Sequence, residues 1–141
     1  MTDIETNDAP HGLAARMAAL HLLEAALGRR SGFEEGLQHP ALARLEPRDR
    51  GFARALVLAT LRHLGPIDAA LQAKIAKAPP DRVVQILRLG VAQAFVLKTP
   101  AHAAVTTSVE LTARDSQGRN FKGLVNAVLR GLTREPPELE V

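Results

Sequence analysis

Residues 120–132 read Asn-Phe-Lys-Gly-Leu-Val-Asn-Ala-Val-Leu-Arg-Gly-Leu, and their pattern indicates the fold class. Its apolar residues recur every three or four positions, so they share one face of an α-helix. Asn120 belongs to the residue types that cap helix N-termini, and Pro136 cannot continue the helix. The stretch predicts an amphipathic helix that packs against a core through Phe121, Leu124, Val125, Val128, Leu129 and Leu132.

Helical spacing recurs along most of the chain, and no stretch alternates for long with the period of two that marks a strand. We therefore predict an all-α bundle of about seven helices. The six that precede residue 120 are expected near residues 10–27, 33–37, 47–64, 67–76, 81–97 and 103–113. Gly28 is the expected C-cap of the first helix, and Asp81 is the expected N-cap of the fifth. The fifth is apolar on several sides and is expected in the centre, while Gly90 and Gly123 are expected to let helices approach closely.

One domain is expected over residues 10–134, because a chain of 141 residues is long enough to bury one core. Residues 1–9 are polar and acidic without periodicity, which predicts a disordered tail. Residues 135–141 contain Pro136 and Pro137, so they predict either a tail or the start of a stiff inter-domain linker.

The sequence lacks cysteine and the common motifs of enzyme and cofactor sites. It has no cysteine, which excludes a disulfide framework, a thiolate metal site and the nucleophile of a pyrimidine 5-methyltransferase. No glycine-rich phosphate loop, nucleophile elbow or His-Glu-x-x-His pair is present. His102 has no partner at a recognisable spacing that would make it a general base, and the alternative is packing or capping at a helix start. We expect no catalytic residue, no metal and no cofactor in this chain.

Charge is distributed unevenly along the chain. Residues 10–134 contain all 18 lysines and arginines but only 9 of the 15 acidic residues. A body with this excess of positive charge favours polyanions as partners, and the alternative is a well-solvated surface. The apolar runs are too short to span a membrane, and the N-terminus has no secretory pattern, so we expect a cytoplasmic location and no membrane partner.

Three ordered motifs carry a family resemblance. They are Ile-Leu-Arg-Leu-Gly-Val-Ala-Gln at 86–93, Pro-Ala-His-Ala-Ala-Val at 100–105 with Ser-Val-Glu-Leu at 108–111, and Lys-Gly-Leu-Val-Asn-Ala-Val-Leu-Arg at 122–130. Together they resemble the NusB-like family, which implies a helical domain of two packed subdomains. The last two motifs look like the N-terminal domain of RsmB-type, or Sun-type, ribosomal RNA cytosine-5 methyltransferases.

This resemblance implies an RNA-binding domain that targets a catalytic domain to small-subunit ribosomal RNA. The implied partners are ribosomal RNA and a C-terminal methyltransferase domain of the same polypeptide, and that domain would bind S-adenosylmethionine. Two alternatives remain open. One is a stand-alone antitermination factor that binds boxA-like RNA with a ribosomal protein, although such proteins usually have an acidic residue where this chain has Arg130. The other is a protein-interaction module whose basic surface docks on its own catalytic domain.

The candidate RNA-binding residues are basic, because guanidinium and ammonium groups bind phosphates. Resemblance points to Arg16, which is otherwise an ordinary solvated arginine. The third predicted helix adds Arg48, Arg50, Arg54 and Arg62, for which ion pairs with Asp49 or Glu46 are the alternative. Lys122 and Arg134 flank the last helix and complete the set. Arg50 and Arg54 lie one turn apart and are expected to face the same way. Arg88, Asn126 and Arg130 lie on otherwise apolar helices, where a hydrogen-bonding role in the structure competes with RNA contact.

Overall fold

A computed structural model of the protein describes residues 12–28 and 36–139. These residues form seven α-helices and one 3₁₀ turn, Arg119–Phe121, and contain no strand, which confirms the all-α prediction. The helices are α1 (Leu13–Leu27), α2 (Pro40–Ala43), α3 (Pro47–Arg62), α4 (Leu64–Gln72), α5 (Asp81–Phe95), α6 (Ala101–Arg114) and α7 (Lys122–Arg134). The predicted acidic tail and most of the helix predicted at 33–37 lie outside the described residues.

The central position of α5 is confirmed. It packs against α1, α3, α4, α6 and α7. On one side α1 packs most extensively against α3 and also holds α2, and on the other α6 packs against α7. These two groups of helices share one hydrophobic core, to which α5 contributes Val83, Ile86, Leu87, Leu89, Val91 and Ala92.

Two of the predicted helix caps are wrong. Asp81 is the first residue of α5, and the N-cap is Pro80, whose fixed φ of −53° leads the chain directly into the helix. Asn120 lies within the 3₁₀ turn, so Phe121 is the N-cap of α7. The predicted C-cap of α1 is confirmed at Gly28.

The two glycines expected at close helix contacts behave differently. A Cβ on Gly90 would lie 2.9 Å from both Leu129 Cδ1 of α7 and Ser108 Oγ of α6, so the absence of a side chain lets three helices meet. Gly123 has no neighbour within 4 Å of that position, and the expectation for it is wrong. Spacing along a helix does not distinguish these two cases, because the difference lies in which neighbour crosses at that point.

Candidate RNA-binding surface

Arg16 is buried, so the solvated alternative for it is wrong. Only 9% of its surface is exposed. Its Nε donates to Gln93 Oε1 at 2.6 Å, a terminal nitrogen donates to the Gly12 carbonyl at 3.1 Å, and its Cζ lies 4.8 Å from the centroid of the Phe52 ring. Burial lowers the pKa of this guanidinium. Arg16 therefore joins α1 to α3 and α5, and RNA contact through it stays a prediction.

Arg88 joins two helices. Its Nε and one terminal nitrogen donate in parallel to the two carboxylate oxygens of Asp68 on α4, each at 2.7 Å, and the other terminal nitrogen donates to Gln85 Oε1 at 3.0 Å. This bidentate geometry is the strong form of an arginine–carboxylate pair. The contacts favour the structural role for Arg88 over RNA contact.

The arginines of α3 divide between its exposed face and α2. Arg48, Arg54 and Arg62 are exposed, and none of them forms an ion pair with a carboxylate of the described residues. Arg50 is half-buried and donates a long hydrogen bond of 3.5 Å to the Ala43 carbonyl of α2. On the exposed face, Arg54 and Arg62 lie one turn to either side of Leu58, which is 45% exposed.

The first turn of α6 and the C-terminal half of α7 border a cleft of about 280 Å³, here called the α6–α7 cleft. Its lining residues are Ala101, His102, Val105, Arg130, Thr133 and Arg134. None of them is acidic, and both arginines and His102 are exposed. The N-terminus of α6, which no side chain caps, adds the partial positive charge of a helix start. The α6–α7 cleft is therefore an electropositive feature of the described surface.

Lys122, Asn126, Arg130 and Arg134 follow one another at intervals of four along α7, so they form a polar stripe beside the cleft. Arg130 Nε donates to Asn126 Oδ1 at 2.9 Å. The hydrogen bond expected of Asn126 is thus made within its own helix and on the exposed side. Arg130 is exposed and its hydrogen bond lies within α7, so the alternative of a buried or half-buried hydrogen-bonding role between helices is wrong for it.

Arg82 connects parts of the fold in a way that the sequence does not indicate. Two of its nitrogens donate to the Glu24 carboxylate of α1 at 2.9 and 2.6 Å, and a third donates to Asp115 Oδ1 at 3.1 Å. These hydrogen bonds raise the pKa of Arg82. Its partners are 58 and 33 residues away, so no local pattern reveals the cluster.

No helix in the described part of the chain combines the length and apolar character needed to cross a membrane. Within the same residues, histidine, aspartate and glutamate side chains form no group of three or more that could hold a metal ion.

The profile of the NusB family matches residues 13–134, from the start of α1 to the end of α7. The chain belongs to the NusB family. This match covers every element that borders the α6–α7 cleft, and it confirms the resemblance seen in the three motifs.

Curated relatives of this NusB domain include longer proteins named ribosomal RNA small subunit methyltransferase B. The relative from Xanthomonas campestris pv. campestris is 35% identical over 127 residues, which are 88% of this chain and 29% of that protein. The relative from Pseudomonas putida is 36% identical over 129 residues, with the same coverage of 88% and 29%. The NusB domain thus spans less than a third of the length of these relatives.

Among solved structures, one described as the crystal structure of a plectonemic RNA supercoil contains a similar chain. The TM-score is 0.73 at 23% sequence identity, and the similarity covers 87% of this chain and 94% of that one. At this identity the similarity supports the fold alone.

Proposed function

We propose that this NusB domain is the RNA-binding part of a ribosomal RNA cytosine-5 methyltransferase, and that the α6–α7 cleft is its principal phosphate contact. The observation that carries the proposal is the pair of exposed arginines, Arg130 and Arg134, in a cleft with no acidic lining residue. The names of the curated relatives supply the reaction class. In this proposal the chain binds RNA, and S-adenosylmethionine and the methyl transfer belong to a domain outside these residues.

Arginine chemistry suits this cleft to phosphate. A guanidinium group is planar and donates in pairs, so it binds phosphate oxygens bidentately. Base stacking contributes little in this proposal, because the three described phenylalanines, Phe52, Phe95 and Phe121, pack against the core. Contacts to the RNA phosphate backbone and recognition of RNA shape would therefore supply most of the affinity.

The exposed face of α3 is a second phosphate contact in this proposal. Arg48, Arg54 and Arg62 lie along this face, and Arg54 and Arg62 are two turns apart. Arg88 takes no direct part, because its donors are directed to Asp68 and Gln85. It joins α5 to α4 instead, and buried Arg16 is not a principal contact.

The antitermination alternative has less support. The curated relatives matched over most of this chain carry methyltransferase names. Arg130 lines the α6–α7 cleft at the position where the sequence departs from the acidic residue usual in antitermination proteins. A positive charge there increases attraction for phosphates.

The test compares three charge-reversal variants that change the net charge equally. They are Arg130→Glu with Arg134→Glu in the cleft, Arg54→Glu with Arg62→Glu on α3, and Arg44→Glu with Lys77→Glu at exposed positions elsewhere. The probe is a fluorescent single-stranded RNA of about 20 nucleotides, longer than one typical single-strand site. Its affinity is measured by fluorescence anisotropy.

We expect the cleft variant to bind at least about tenfold more weakly than the Arg44/Lys77 control, because a hydrogen bond to a charged group contributes about 1.5–3 kcal/mol and about 1.4 kcal/mol is tenfold. A smaller loss is expected for the α3 variant. Equal losses of RNA affinity in all three variants would show that the overall positive charge attracts RNA without a specific site. A loss of affinity confined to the α3 variant would reject the cleft as the principal contact.

A further inference from the structure

The five residues that follow α7, residues 135–139, pack against the domain. Leu139 is only 9% exposed and belongs to the hydrophobic core cluster. Lys74 Nζ, just beyond α4, donates to Glu135 Oε1 at 2.7 Å, which lowers the pKa of Glu135. An unattached chain end makes no such contacts.

The path of this segment can be followed from its neighbours. It first runs along α4, where Glu135, Pro137 and Glu138 border a cleft. The α4 side of that cleft is made by Pro66, Ala69, Ala70 and Ala73. These four positions follow helical spacing and carry small or ring side chains, so α4 presents a shallow path to the segment.

The segment continues from α4 to the ends of α3 and α5. Pro137, Glu138 and Leu139 border a second cleft with four residues of the core elements. These are His63, at the junction of α3 and α4, and Phe95, Val96 and Lys98, at the end of α5. Lys98 has a φ of 60°, a conformation uncommon outside glycine, and it turns the chain from α5 toward α6. Five residues thus connect α7 with α4, α3 and α5.

Both ends of this segment lie near residues that line the α6–α7 cleft. Arg134, which lines that cleft, directly precedes Glu135. At the C-terminal end of the segment, Lys98 borders the same cleft as Leu139, and Ala101 borders the α6–α7 cleft. Their Cα atoms are at most about 11 Å apart, because they are separated by only three peptide units.

We propose that residues 135–139 form a docked exit strap, which fixes the direction in which the polypeptide leaves the domain beside the α6–α7 cleft. Leu139 anchors the strap, and the two prolines stiffen it. A domain that follows the strap would be held in a set orientation to bound RNA. This consequence rests on the proposed function. Docking of the strap does not depend on RNA.

Backbone ¹⁵N relaxation of the 141-residue chain tests the strap directly. We expect order parameters of about 0.85 for the amides of Glu135, Glu138 and Leu139, the value typical of rigid backbone, whereas values below about 0.6 would overturn the proposal. Leu139→Ser is expected to lower the values at 138 and 139 below about 0.6 while α7 stays rigid. If residue 139 stays rigid in that variant, Leu139 is not the anchor.

Leu58→Ser is the matched control, because it makes the same chemical change at an exposed leucine of α3. It should leave the strap amides unchanged, and release of the strap in this control would also count against the proposal. The RNA affinity of Leu139→Ser should equal that of the wild type, since Arg130 and Arg134 remain. Failure of the wild type to bind RNA would reject the proposed function and leave the relaxation result for the strap standing.

Discussion

Arg16 shows how a charged side chain can be part of a core. Among the described residues its hydrogen-bond acceptors are an amide oxygen and a backbone carbonyl, and no carboxylate forms an ion pair with it. The Phe52 ring adds a cation–π contact. Each contact offsets part of the cost of removing the guanidinium from water, and the lowered pKa of Arg16 reflects the cost that remains.

A double-mutant cycle tests this arrangement. Arg16→Met should lower the free energy of unfolding by about 2–3 kcal/mol, because it leaves buried Gln93 without its donor. Gln93→Leu alone should also destabilise, since it leaves the buried cation with fewer acceptors. The double variant should recover most of the loss, because replacing both partners with apolar groups is close to neutral. Urea denaturation measures all four proteins, and simple additivity would contradict a direct interaction.

Short α2 is held in place by two histidines as well as by buried Leu42. His39 Nδ1 accepts a hydrogen bond from the Ala41 amide at 3.0 Å and so caps the helix. The ring of His39 stacks on that of His21 from α1, with centroids 4.4 Å apart. Burial, His39 and Arg82 lower the pKa of His21, against a smaller opposing effect of Glu24.

This lowered pKa makes stability depend on pH in a defined direction. Below about pH 6.5, the ordinary histidine pKa, the unfolded chain takes up a proton at His21 that the folded chain still excludes. The free energy of unfolding should therefore decrease as pH falls from about 6.5 through the lower folded pKa. Urea denaturation across this range measures it. His21→Phe should flatten the profile, and His102→Gln, at an exposed histidine, is the control. An equal slope in His21→Phe would assign the effect to other groups.

The helices themselves were predictable because periodicity is a local property. The apolar face of α7 and the central position of α5 follow from residues a few positions apart. The caps at Asp81 and Asn120 were mispredicted, because Pro80 and the 3₁₀ turn begin these helices differently. The helix predicted over 67–76 begins earlier, at Leu64, since only His63 separates α3 from α4.

Exposure of the arginines is a property of the whole molecule, and the sequence could not supply it. Arg88 and Arg130 occupy similar apolar surroundings in sequence, yet one pairs with Asp68 and the other faces solvent in a cleft. The exit strap was equally hidden, because a Pro-Pro segment reads the same whether it is docked or free. Composition did indicate the basic character of residues 10–134, because net charge can be counted without knowing the three-dimensional structure.

That basic character predicts a strong dependence of RNA affinity on salt. If Arg130, Arg134, Arg54 and Arg62 each neutralise one phosphate, the logarithm of the affinity should fall with the logarithm of salt concentration with a slope of about −2.8 for a single strand. Titrations of the same RNA at several salt concentrations give this slope. The Arg130/Arg134 variant should reduce its magnitude by about half, and a flat response would contradict phosphate recognition.

The central α5 also has a consequence for how the domain folds. Because it supplies apolar side chains to both groups of helices, neither group can complete its core before α5 is in place. The two halves should therefore unfold in a single cooperative transition, as small domains with one shared core do. Because the domain unfolds as one unit, the relative positions of its surface arginines are kept together in the folded state and lost together on unfolding.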